Sequence, residues 1–171
     1  ERTAVARFWS AERRLFVNNL PWIEEEKSVS LCDRSLATGV LFNQCPGNDT
    51  AASIRALADC PKEMGLSYPA NAGWRLWALA QGGRADVVVN DLRQRWATMP
   101  SVKLNNALQV GGGARPDGPS QWSHCALAPL YITFQGIAGI RPLEPGYRRV
   151  ELRPQLASLE QLALSAWTPR G

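Results

Sequence analysis

Apolar side chains recur three and four positions apart along most of this chain, then switch to every second position near its end. The first stripe, Val5, Phe8, Trp9, Leu15 and Phe16, predicts a helix over 4–19, ended by Leu20-Pro21 because proline disfavours a helical residue before it. Ser28 or Ser30 can cap a second helix to about Phe42, and Cys45-Pro46-Gly47-Asn48 breaks it. A third helix follows over 50–58, then a loop over 61–69. A fourth is predicted over 70–80, with Gly82-Gly83 at its end, and a fifth over 85–98. Residues 99–119 form a long loop rich in Gly and Asn. Ser120 then caps a sixth helix to about Ile137, in which Pro129 marks a kink or a late start. Alternation over 147–154 and again over 162–167 predicts strands. Six helices followed by the first strands of something else suggest separate layers or domains.

Composition narrows the class. Apolar residues make up 45% and charged residues 20%, which suits a globular domain in a chain of 171 residues. The net charge of +4 comes from scattered arginines, which is not the clustered footprint of nucleic-acid binding. No apolar run reaches the roughly 18 residues a membrane span needs. Cys32, Cys45, Cys60 and Cys125 show no CxxC spacing, and the chain has a single histidine. A metal site needs several convergent ligands, so no metal or cofactor is expected. Buried free thiols lean toward a reducing, cytoplasmic setting. The triplet Asn48-Asp49-Thr50 is a glycosylation sequon that counts only in a secreted protein. A start at Glu1-Arg2-Thr3 suggests a segment cut from a longer protein.

Helices that alternate in direction place their connections at two ends. The short ones near 43–49 and 81–84 fall at one end, and the longer ones near 20–28, 61–69 and 99–119 at the other. Long loops on a helical scaffold are where function usually sits. That end gathers Trp22, Glu24, Glu25, Glu26, Glu63, Tyr68, Asn105, Asn106, Gln109, Arg115 and Asp117, with Trp122 and His124 opening the sixth helix. Aromatic faces for sugar rings, with amides and carboxylates for hydroxyls, fit a carbohydrate site. Ordinary polar loop residues explain the same composition about as well. Trp74 and Trp77 fall at helical spacing and read as core.

Two stretches carry a family likeness: Gln121-Trp122-Ser123-His124-Cys125-Ala126-Leu127-Ala128-Pro129-Leu130, and Ile137-Ala138-Gly139-Ile140-Arg141-Pro142-Leu143-Glu144-Pro145-Gly146-Tyr147. Together they resemble the end of the catalytic domain of α-L-rhamnosidases, six-hairpin toroid glycosidases. The segments 71–79 and 101–109 resemble the same group, so the likeness runs along nearly the whole chain. It implies a mainly α fold, the distal half of an (α/α)6 toroid over 1–143, followed by the start of a C-terminal β-sandwich over 144–171. It also implies cleavage of terminal α-L-rhamnosyl residues with inversion, a rhamnose-containing carbohydrate as ligand, and the upstream half of the same catalytic domain as partner. The general acid would lie in that upstream half. His124, Trp122, Asn106, Tyr68 and Asp117 are the implied sugar contacts. His124, in the first turn of its helix, is best placed as a neutral ring bonding a hydroxyl, because the helix dipole disfavours imidazolium there.

The general base is the exception. The family continues after the Leu-Gln step with a glutamate, whereas Leu108-Gln109 continues here with Val110-Gly111-Gly112-Gly113. A valine cannot take a proton from water. Three readings follow: an inactive homologue that still binds sugar, a loop altered in this sequence, or a substitute carboxylate, Asp117 being the nearest. The other function classes are a non-catalytic carbohydrate-binding or structural helical module, and a helical interaction domain without a ligand.

Overall fold

The computed structural model describes residues 2–17, 30–67, 71–99 and 127–169. Its first helix, α1 (Arg2–Phe8), is shorter than the predicted 4–19 helix. The chain turns instead into a hairpin of β1 (Trp9–Ser10) and β2 (Leu15–Phe16), with Trp9 opposite Phe16. The stripe misleads because positions seven apart share a helix face and can also meet across a tight hairpin. Here the two rings meet edge to face, 5.1 Å between centroids. Arg14 takes φ 54 in the turn, and the Ser10 hydroxyl accepts the Arg13 N–H at 3.2 Å.

The second helix starts later than its serines suggest. Leu31–Cys32 is a short strand, β3, and α2 spans Asp33–Leu41. Leu36, Ala37 and Val40 of α2 are buried, one helical face in the core. Asn43 at φ 52 ends α2, with the Gln44 N–H returning to the Gly39 carbonyl at 2.9 Å. A 3-10 turn, Pro46–Asn48, leads to α3 (Ala51–Asp59), which closes at left-handed Cys60 before Pro61. Strand β4 (Met64–Gly65) pairs in parallel with β3, Leu31 opposite Met64.

Helix α4 (Gly73–Gln81) is the centre of the molecule and packs on α2, on α3 and on the helices that follow it. Leu76, Ala78 and Leu79 are fully buried. The left-handed residue after it is Gly83, at φ +76, with the Arg84 N–H on the Leu79 carbonyl at 2.8 Å. Trp77 is half-buried against this core, but Trp74 is not core: it is 40% exposed, its ring 6.1 Å from that of Phe42. Helical spacing alone does not separate the buried edge of a stripe from its flank.

The predicted fifth helix is α5 (Ala85–Asp91) widening into a π-helical stretch, Leu92–Trp96. The sixth is described from Leu127. There α6 (Ala128–Tyr131) carries Pro129 in its first turn, where no backbone donor is needed, and widens into a second π stretch, Ile132–Ile137. Its expected cap, Ser120, lies outside the described residues. Gly73 sits against Ala128 and Tyr131, and Gly136 against Ala80, so α4 and α6 run in the same direction.

Strand β5 (Ile140–Pro142) pairs antiparallel with β6 (Val150–Leu152) around a 3-10 turn at Pro145–Tyr147. Residues 162–167 form no strand. Leu162 packs against the core, whereas Leu164 and Trp167 face outward, and alternation alone makes no ladder without a neighbouring strand. The described chain is thus mainly helical with three two-stranded sheets.

Candidate functional site

The short β3–β4 ladder brings the chain at residues 30–33 beside residues 63–67. The Ser30 and Leu31 N–H groups both donate to the Glu63 carbonyl, at 3.0 and 3.1 Å. The Ser30 hydroxyl donates to the Glu63 carboxylate at 2.7 Å, and Arg13 of the β1–β2 turn pairs with its other oxygen. The bond from Ser30 chiefly, with Arg13 beside it, holds Glu63 below the ordinary carboxylate range. Behind them Asp33, 1% exposed, accepts both the N–H and the hydroxyl of Ser67 at 2.8 Å.

A second group of charges lies under the same end. Arg75, 2% exposed, donates to the Leu57 carbonyl at 2.8 Å, to Asp91 at 3.0 Å and to the Cys60 sulfur at 3.0 Å. Arg95 lies 3.6 Å from Asp91 and reaches the Ser67 carbonyl at 3.4 Å. The N-termini of α4 and α6 meet beside this group, where Gly73 leaves room for the Tyr131 hydroxyl. The chain therefore enters or leaves this one end at residues 30, 67, 71 and 127, with residue 99 a short step beyond Arg95. Long loops near 20–28, 61–69 and 99–119 were expected at one end, and the described margins at 30, 67, 71 and 127 meet there, whereas Phe16, before the first loop, packs on Gly39 toward the other end of α2.

The predicted sugar contacts themselves, Tyr68, Asn106, Asp117, Trp122 and His124, lie outside the described residues, as does Val110. So do Trp22, Glu24, Glu25, Glu26, Asn105, Gln109, Arg115 and Cys125. What is described is a platform built from the chain that flanks them in sequence. Its three carboxylates, Asp33, Glu63 and Asp91, are all engaged by neighbours, so the platform offers positioning rather than an acid–base pair. Sequence reasoning missed the Asp33–Ser67 clasp and the Arg75–Asp91–Arg95 group. No local spacing signals a contact between residues 34 apart, and a buried arginine looks like any other arginine in a helix.

Cys45 is buried, and burial raises its thiol pKa, while Cys32 and Cys60 are half-buried. All three are free thiols. No described helix is long and apolar enough to cross a membrane.

No family model matches this chain. Nor does any curated protein match it. Among solved structures, the GH78 family rhamnosidase of Bacillus sp. GL1 superposes with a TM-score of 0.65 at 19% identity, covering 92% of this chain and 17% of that one. The chain thus has a rhamnosidase-like fold and spans 17% of the length of the enzyme it matches.

Proposed function

We propose that this chain is the distal part of an inverting glycoside hydrolase domain that acts on terminal α-L-rhamnosyl residues, completed by an upstream half that carries the general acid. The helical part to residue 143 belongs to the toroid on this reading, and 144–171 opens a β-sandwich. The observation that supports it most is the fold likeness, together with loop margins that converge on one end. Tyr68, Asn106, Asp117, Trp122 and His124 would line the sugar site there. Inversion needs an acid and a base about 6.5–9.5 Å apart, with a water between them. Val110 occupies the position where the resemblance places that base.

A second reading, a carbohydrate-binding module without catalysis, is favoured by two observations: the valine at 110, and the engagement of Asp33, Glu63 and Asp91 by neighbours. Incubating the parent polypeptide with an aryl α-L-rhamnoside separates the two. The expected result is rhamnose binding with slow release of the aryl group, and a gain of at least about a hundredfold in turnover for Val110→Glu. Binding without any gain would favour the binding module. Absence of rhamnose binding would overturn both.

A further inference from the structure

At the opposite end of α4, between its C-terminus, the second π stretch and the β5–β6 hairpin, lies a cavity of about 260 Å³. Trp77 forms one wall, and small residues, Ala80 and Gly136, line it where the two helices approach. Gln81, Gln135 and Arg153 also line it, and among the described residues these three side chains have no hydrogen-bond partner. Arg141 also borders it but is paired with Glu151 across the hairpin.

The frame is held in place. The Arg153 N–H donates to the Gly139 carbonyl at 3.0 Å, and the Gln155 N–H to the Ile137 carbonyl at 2.8 Å. The Gln155 amide then donates to Ala80 and Gly136, at 3.0 and 3.1 Å, tying both helix ends to the strand exit. Unpaired donors presented on a pinned backbone are what a binding site needs, because little ordering remains to be done when a ligand arrives.

We propose that this cavity binds a single sugar ring bearing a carboxylate, a uronic acid, with Trp77 against the ring, the Gln81 and Gln135 amides on hydroxyls, and Arg153 on the carboxylate. The volume lies just below the usual range for ligand pockets, about 300–1,000 Å³, and so suits one ring rather than an oligosaccharide. One free guanidinium matches one planar carboxylate, which it can hold by two parallel bonds. Helix C-terminal dipoles oppose any anion here, and a phosphate, with more negative charge than a carboxylate, is opposed more strongly. A neutral sugar would leave Arg153 without a counter-charge. The cavity lies at the opposite end of α4 from the described margins at 67, 71 and 127, so it stands or falls separately from the rhamnose reading.

Calorimetric titration of the full chain with D-glucuronate, D-glucose and inorganic phosphate tests the proposal. Glucuronate should bind saturably, with glucose and phosphate at least about tenfold weaker, the scale of one charge-assisted hydrogen bond. Arg153→Gln should lower glucuronate affinity by about tenfold or more. Its melting temperature should not change, since the wild-type side chain is exposed and unpaired among the described residues. Failure of glucuronate to saturate overturns the proposal. So does glucose or phosphate binding equally well, or unchanged affinity in a normally folded Arg153→Gln. Should that variant be unstable, Gln135→Ala serves in its place and must weaken both sugars.

Discussion

Arg75 shows how much one side chain can hold together. It is buried with its charge answered by Asp91, two further donors taken by a carbonyl and a sulfur, and it links α3, α4 and α5. Removing one partner of a buried pair strands the other, at a cost of about 3–5 kcal/mol. Arg75→Ala should lose that much in urea unfolding. Arg75→Met combined with Asp91→Leu should lose less, because volume is kept and the buried charge leaves together with its partner, only the part-exposed Arg95 losing Asp91. Glycines separate in the same way. At Gly139, with φ +68, an added methyl would run into the Arg153 carbonyl, whereas at Gly47, φ +64, it would meet open space. Gly139→Ala should therefore cost about 1–3 kcal/mol more than Gly47→Ala in thermal unfolding, since it adds a backbone collision to the same left-handed strain. None of this could be read from residue identity. Both glycines sit in similar Pro-containing stretches, and only the packing tells them apart.

Among the elements, those with a one-sided stripe over two or more turns fall where the pattern puts them. The third helix is Ala51–Asp59 against an expected 50–58. The first fails because Trp9 and Phe16 satisfy two periodicities at once. The two π stretches are invisible to apolar spacing, which tolerates one widened turn. The β3–β4 ladder is equally hidden, being two residues long on each side. Its pH behaviour follows from Glu63. That carboxylate sits below its ordinary value of 4.5 in the folded protein. The stability it adds is therefore fully present above that value and is lost as pH falls through the lower folded-state pKa. Glu63→Gln should show a deficit in urea midpoint at pH 7 that is smaller at the lowest pH at which the protein stays folded, below 4.5. A deficit equal at both pH values would mean that hydrogen bonding alone, without the charge, accounts for the effect. The side chain is 40% exposed, so the effect should be modest.

Across the whole molecule, the apolar surface is uneven. Leu143, Leu152, Leu164 and Trp167 of the C-terminal stretch are exposed, Trp167 at 93%. Apolar patches of this kind promote association. Leu152→Ser with Trp167→Ser should reduce self-association in sedimentation, with little change in melting temperature, because neither side chain is buried. The helical class of the fold was legible from periodicity, and its rhamnosidase-like fold from the resemblance that the His124-to-Gly146 stretch carries. The site was legible only as a set of loops sharing an end, since loop chemistry depends on placement that no spacing encodes. The clasp at that end also bears on the other. Ser30, Asp33, Glu63 and Ser67 join the two feet of the α2–α3 hairpin, while at its tip, Pro46–Asn48, Gly47 has open space around it even though Arg14 pairs with Asp49 close by. Extra residues inserted at Gly47 would lengthen a loop whose closure entropy grows only logarithmically, by about 0.6 kcal/mol per doubling. The chain can therefore grow at that tip without moving the clasped feet of the hairpin.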